Sequence, residues 1–318
     1  MEPSEATASS DHDALRDEIR EIMAGETKSQ TDLARESGVP YGTFTAWFSG
    51  KYTGNNARIA LEVRKWLDAR RERRAITALM PREPGFLLTP TARDIIPNLQ
   101  FAQVMPAVVT IVGAAGVGKT KAAEHYRDTN PNVWLITAEP SVRRVNDILV
   151  ALCTELDVTE KRANRLSAAI GRRVRGSTGL IILDEAQFAD TEALQQLRIL
   201  QSSYGVGVAL LGNEAVIARI GYGNRDQENL FSRVGKKLVL RHARAGDIAD
   251  LLDAWAITED DERRFLAAVG RKAGGLRTLT WCLKQASILA AGCAEPRGLK
   301  HLRAAAEGLA SEPALSAA

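Results

Sequence analysis

Cysteine is scarce in this sequence. Cys153, Cys282 and Cys293 stand far apart and share no metal or redox spacing. This excludes a disulfide-stapled scaffold and a thiolate zinc site, and the three read as small buried apolar groups in a reducing compartment. Histidine is equally thin, with His12, His125, His242 and His301 scattered, so no imidazole metal cluster is expected. Aromatic residues make up only 5%, so the cores must rest on Ala, Leu, Ile and Val. No apolar run approaches the ~18 residues of a membrane helix, and no signal-peptide pattern opens the chain. The expectation is a cytoplasmic protein with no membrane partner. Net charge is small, at +3, so the whole chain does not announce a polyanion partner. The local distribution says more: the N-terminal arm is acidic, while residues 162–175 carry Arg162, Arg165, Arg172, Arg173 and Arg175 and no acid.

What is present is a phosphate loop. Residues 113–120, Gly113-Ala114-Ala115-Gly116-Val117-Gly118-Lys119-Thr120, fit G-x-x-x-x-G-K-[ST]. An apolar β-branched run ends at Gly113 and a helix-compatible run begins near Lys119, which is the strand–loop–helix setting this motif requires. The glycines let backbone N–H groups turn inward around phosphates, and the helix N-terminus adds positive potential. Lys119 would reach the β- and γ-phosphates of ATP, and the Thr120 hydroxyl would bind Mg²⁺.

The rest of the chain orders itself around this loop. Residues 1–12 are polar and read as a disordered arm. Residues 13–75 have helical periodicity: Leu15, Ile19 and Ile22 share one face, as do Ile59, Val63 and Trp66. Between them, Ser29–Phe48 reads as a short helix, a tight turn at Ser37-Gly38 and a second short helix, with Ala34 at the crossing and Val39 plugging the turn. That is a helix-turn-helix pattern. Residues 76–106 carry Pro81, Pro84, Pro90 and Pro97, a linker or a segment packed along the next domain. Within it, Thr91 is expected to cap a helix running toward Gln103. From 107 to 242 the chain alternates. Strands are expected at 107–112, 133–137, 180–183, 206–211 and 237–240, with helices at 119–128, 142–156, 165–175, 191–203 and 214–220, a parallel sheet covered on both faces. Residues 243–318 keep only helical periodicity.

Leu180-Ile181-Ile182-Leu183-Asp184-Glu185 would deliver two carboxylates to the C-terminal end of a buried strand, where ligands sit in open α/β sheets. Asp184 would hold Mg²⁺, and Glu185 would orient and polarise the attacking water. Asn213 ends the next strand and is a candidate partner for the γ-phosphate or that water. Arg233, with Arg225 as competitor, is a candidate to reach a neighbouring subunit's nucleotide. Arg277, in Gly274-Gly275-Leu276-Arg277, is a candidate to contact nucleotide from the helical domain.

These pieces, in this order, resemble the AAA+ ATPases over roughly residues 107–309. With the helix-turn-helix in front, and with strings such as Leu33-Ala34-Arg35-Glu36-Ser37-Gly38, Lys51-Tyr52-Thr53-Gly54-Asn55-Asn56, Asn132-Val133-Trp134 and Phe231-Ser232-Arg233, the chain resembles the Mu B family of phage Mu-type transposition systems. The fold class implied is α/β: an AAA+ P-loop ATPase core with a C-terminal helical lid and an N-terminal all-α helix-turn-helix domain. The resemblance implies ATP and Mg²⁺ as cofactors and a bacterial host cytoplasm. It implies ATP-dependent, largely sequence-independent filaments on duplex DNA, delivery of that DNA to a Mu A-like transposase with stimulation of strand transfer, and hydrolysis that dissolves the filament. Alternative readings are an ATP-switched helix-turn-helix transcriptional regulator and a helicase-loader-type AAA+ factor.

Sequence-independent binding needs Arg and Lys against phosphates. Candidates are Arg143 and Arg144 at the start of one helix and Arg172, Arg173 and Arg175 at the end of another. In the helix-turn-helix they are Tyr41, Thr43, Thr45 and Lys51. No Arg, Asn or Gln occurs from Tyr41 to Phe48, so base readout is expected to be weak. Trp47 and Phe48 read as core. The run Arg70-Arg71-Glu72-Arg73-Arg74 reads either as a backbone clamp or as a solvated helix end.

Overall fold

The computed structural model describes residues 5–79, 83–220 and 234–310. They fall into two compact units, residues 1–81 and 82–318.

The first unit is all helical: α1 (Glu5–Glu26), α2 (Gln30–Ser37), α3 (Tyr41–Phe48) and α4 (Asn56–Leu79). Ser29 starts α2 with a capping box. Its hydroxyl accepts the Asp32 N–H at 3.2 Å, and the Asp32 carboxylate accepts the Ser29 N–H at 3.1 Å. Gly38 ends α2 in the left-handed conformation, φ 73°, which glycine adopts without strain. The chain then turns through Val39 and Pro40 into α3, the helix-turn-helix expected from sequence. Ile19, Leu33, Phe44, Trp47, Ile59 and Val63 are buried in one core. The disordered arm expected at 1–12 is corrected where it is described: residues 5–12 are the first turns of α1. Alanines in that stretch favour helix, and Asp11 pairs with Arg64 at 2.9 Å while His12 meets the Trp47 ring edge-on.

In the second unit, α5 (Pro90–Val104) leads into a five-stranded sheet. Its strands are β1 (Val108–Gly113), β2 (Val133–Thr137), β3 (Leu180–Asp184), β4 (Gly207–Gly212) and β5 (Val234–Leu240), all parallel, in the order β2-β3-β4-β1-β5. The connecting helices are α6 (Lys119–Thr129), α7 (Val145–Glu155), α8 (Ala163–Val174), α9 (Thr191–Tyr204) and α10 (Ala215–Arg219). Successive strand residues go to opposite faces. Ile181, Leu183, Val208 and Leu210 join one core, and Leu180, Ile182, Ala209 and Leu211 the other. Two buried faces explain why these strands are apolar without interruption.

After β5 the described residues form four helices: α11 (Ala245–Ala254), α12 (Asp260–Gly270), α13 (Gly275–Gly292) and α14 (Leu299–Ala310). Leu252, Leu266, Leu279, Leu283 and Leu302 pack in their shared core. Cys153 and Cys282 are buried, but Cys293 is exposed, because it follows Gly292 at the point where α13 ends.

Two details of the expected linker change. Helix α5 is capped by Thr89, whose hydroxyl accepts the Ala92 N–H at 3.2 Å. Thr91 instead binds the fully buried Asp247 on α11, donating its N–H at 2.7 Å and its hydroxyl at 2.6 Å. The Arg244 N–H adds a third bond to that carboxylate at 2.8 Å. A buried charge needs such partners, and here they fasten the segment before the sheet to the helices after it.

Candidate active site

Strand order creates the site. β4 lies between β1 and β3, so the phosphate loop after β1, Asn213 after β4 and Asp184-Glu185 at the end of β3 share one edge of the sheet, on strands ~4.8 Å apart. Gly116 and Gly118 hold φ of 75° and 101°, conformations open to residues without a Cβ. At Gly116 space is decisive as well: a Cβ would lie 1.8 Å from the Gly274 carbonyl oxygen. The Leu276 N–H donates to the Gly116 carbonyl at 2.9 Å. The first turn of α13 therefore rests on the loop.

Lys119 points back along the loop, and its Nζ donates to the carbonyls of Gly113 and Ala114, each at 2.8 Å. Burial pulls its ammonium below the ordinary lysine value, against the opposing pull of Asp184 and Glu185. The Thr120 hydroxyl donates to Asp184 Oδ2 at 2.6 Å. Asp184 is buried, and burial pushes its carboxyl above the usual range while the Thr120 bond works the other way. Glu185 leaves the strand in a left-handed conformation, φ 51°, which turns its side chain out of the sheet.

Glu185, Lys119, Thr120 and Arg277 all line a cavity of about 650 Å³, a volume typical of small-ligand sites. Its far wall contains residues that sequence reasoning missed. Phe86 and His125 stack with ring centroids 3.8 Å apart and 6° between planes. Trp281, one turn beyond Arg277, is 53% exposed into this region, with the Lys284 ammonium 5.4 Å from its ring. An aromatic between Pro84 and Pro90 was the available signal for Phe86. Gln187 was missed too: it donates to Glu185 Oε2, and its Oε1 accepts the Asn213 N–H at 3.1 Å. The Asn213 side chain itself accepts the Ala215 N–H at 2.9 Å and starts α10. Arg225 and Arg233 lie outside the described residues. No group of ligating side chains suited to a bound metal cluster occurs among the described residues.

The basic candidates separate by their partners. Arg144 is the N-cap of α7, and Arg143 precedes it. Arg143 is tied to Asp190 at 2.9 Å, and the Arg144 N–H donates to Asp147 at 3.1 Å. Arg172, Arg173 and Arg175 are exposed at the end of α8, which leads into the start of β3, so they lie at the sheet edge opposite the phosphate loop. Arg173 lies over Trp134 and Arg175 over Tyr204, at 5.8 and 5.3 Å. In the first unit, Tyr41 and Lys51 are exposed and Thr43 is half-buried. Thr45 is a poor contact candidate: its hydroxyl is buried, because residue 45 sits between the inward-facing Phe44 and Trp47. Trp47 is core, and Phe48 is half-buried, stacked with Phe44. Arg70, Arg71 and Arg74 each pair with an acid of another helix. Arg70 and Arg74 bind Glu26, Arg70 also binds Glu36 at 2.5 Å, and Arg71 binds Glu18 at 2.5 Å.

Comparison with known proteins agrees along most of the chain. The family described as "Mu B transposition protein, C terminal" matches residues 232–309, and the AAA domain matches residues 105–220. The chain is 35% identical over 295 residues to the "ATP-dependent target DNA activator B" of Escherichia phage Mu, covering 92% of this chain and 93% of that protein. It is 34% identical over 273 residues to the "Mu-like prophage FluMu DNA transposition protein B" of Haemophilus influenzae, covering 84% and 94%. Among solved structures, the Aeropyrum pernix ORC2 protein in its ADPNP–ADP complexes superposes with a TM-score of 0.52 at 18% identity, over 71% of this chain and 69% of that one. Its ADP form gives 0.53, over 74% and 72%. At that identity the likeness is one of fold.

Proposed function

The chain belongs to the Mu B family of transposition proteins, and from that membership we propose that it is a DNA-binding ATPase that captures target duplex for a transposase. ATP occupancy would promote cooperative, largely sequence-independent coating of DNA by copies of this chain. Hydrolysis, raised by DNA and by a Mu A-like transposase, would release it. Residues 107–242 act in this reading as the ATPase core, 243–318 as its lid and 13–75 as an accessory DNA-binding domain.

The observation that carries the reading is the meeting of Lys119, Thr120, Asp184, Glu185 and Arg277 at one sheet edge beside a cavity of nucleotide size. The donor set fits a magnesium triphosphate. A hydroxyl and a carboxylate are the hard oxygen donors Mg²⁺ favours, and Thr120 and Asp184 already lie within hydrogen-bond distance of each other. The ion would neutralise charge on the β- and γ-phosphate oxygens. Loop N–H groups and Lys119 would bind the phosphates, with Phe86, His125 and Trp281 offering flat surfaces to the base. Glu185 would accept a proton from the attacking water, and Arg277 would report nucleotide state to α13. The exposed cations Arg172, Arg173 and Arg175 support backbone contact with DNA better than the paired Arg143 does.

The test is electron microscopy of the protein with plain plasmid DNA, with and without ATP, alongside footprinting on random duplex. Filaments that require ATP support the proposal. Protection of one short operator, with random duplex left bare, would overturn it in favour of a regulator.

A further inference from the structure

Gln187 is bonded in a way that no phosphate-loop role requires. It sits two residues after Glu185, in the short 3₁₀ turn Ala186–Phe188. Its Nε2 donates to the Glu185 carboxylate, and its Oε1 accepts the backbone N–H of Asn213 at the end of β4. These partners fix the amide's orientation. A carboxylate only accepts and a backbone N–H only donates, so one of the two flipped states satisfies both and the other satisfies neither. The neighbouring residue is shaped to admit this bridge. Gly212 is buried at the tip of β4 with an ordinary backbone conformation, yet a Cβ built on it would fall 2.3 Å from Gln187 Oε1. Glycine at 212 therefore leaves the space in which the amide lies across the strand end.

We propose that Gln187 is the positioning residue for Glu185, holding the carboxylate toward the cavity and referencing it to the β4 tip. The proposal rests on the reading of Glu185 as the group that accepts the water's proton. The rotamer of a Glu is otherwise free to swing, and Glu185, which leaves the strand with φ 51°, is only half-buried where it lines the cavity. One amide oxygen remains bound to the β4 backbone while its nitrogen grips one carboxylate oxygen. The second carboxylate oxygen is left for the water. Gln187 does not touch the nucleotide in this arrangement, so it would act on turnover and not on binding.

The test uses the full-length protein with ATP, Mg²⁺ and plasmid DNA, comparing wild type, Gln187→Met, Gly212→Ala, Glu185→Gln and the Glu185→Gln/Gln187→Met double variant. Met keeps the length of Gln and removes both bonds. A hydrogen bond to a charged group is worth enough that kcat should fall about ten- to a hundred-fold in Gln187→Met, with KM and the affinity for a fluorescent ATP analogue unchanged. Gly212→Ala, whose methyl would crowd both the amide and the Val216 side chain while leaving Gln187 in the sequence, should lower kcat in the same direction. In the Glu185→Gln background, Gln187→Met should have no further effect on the residual rate, since the two act as one unit. Wild-type kcat in Gln187→Met overturns the proposal, as does a loss additive with Glu185→Gln or one that appears equally in nucleotide affinity. The underlying reading fails separately, if the wild type itself does not hydrolyse ATP or if Glu185→Gln turns over normally.

Discussion

Lys119 and Glu185 share a cavity, and in the proposed reading they act on different quantities. The Lys119 ammonium is held by two neutral carbonyls of its own loop, so a triphosphate offers it stronger, anionic acceptors in exchange. Lys119→Ala should therefore weaken ATP binding about ten- to a hundred-fold, measured by titration calorimetry with Mg²⁺ present. DNA coating should fall with it. Glu185→Gln keeps the shape and loses the proposed base. ATP binding should persist while kcat drops about a hundred-fold or more, and filaments formed with ATP should outlast those of the wild type. An arginine supplied by a neighbouring copy, Arg233 or Arg225, belongs to the same reading. Mixing Arg233→Ala subunits with Glu185→Gln subunits should restore part of the lost turnover, and a uniformly inactive mixture would count against Arg233.

Helices in both units are joined through carboxylates, and each join makes a prediction. In the first unit Glu26, the last residue of α1, accepts from Arg70, Lys28 and Arg74. The Arg70 and Lys28 bonds hold its carboxyl at about 2, well below its ordinary 4.5. A depressed folded value stabilises the folded state above the unfolded value. That contribution should be full above about pH 4.5 and lost as pH falls toward 2. Protection of α1 and α4 amides, taken relative to the intrinsic exchange rate at each pH, should then fall in that window, and Glu26→Gln should remove this pH dependence while lowering protection at neutral pH. In the second unit, Asp247→Ala would strand the Thr91 N–H and hydroxyl and the Arg244 N–H. Orphaning a buried set of this kind costs about 3–5 kcal/mol, which thermal melts of the full chain would reveal as a lowered Tm.

At the scale of the whole molecule, the candidate nucleotide site and the exposed arginines proposed for DNA lie on opposite edges of one sheet. The phosphate loop and acids occupy the C-terminal edge, and Arg172, Arg173 and Arg175 stand near the start of β3. If these arginines grip phosphates, the Arg172→Ala/Arg175→Ala variant should bind random duplex more weakly, with the slope of log affinity against log salt reduced by about 2. An unchanged slope would move the DNA contact elsewhere. Arg143→Ala should change that slope less, because Asp190 already neutralises it.

Local chemistry determined what the sequence alone makes legible. The phosphate loop, the acids at the end of an apolar run and the helix-turn-helix are each patterns within one short continuous segment, and each lies where the pattern puts it. Long-range pairing was beyond that reach. That β4 separates β1 from β3, that Gln187 bridges Glu185 to β4, and that Phe86 and His125 wall the cavity follow from how distant segments pack. The same holds for charge. The absence of acids around Arg172 was legible in the sequence, but the distant acids that the fold brings to Arg70, Arg71, Arg74 and Arg143 were not. Backbone conformation obeys near neighbours, while the partner of a charged side chain is chosen by whichever helix or strand arrives beside it.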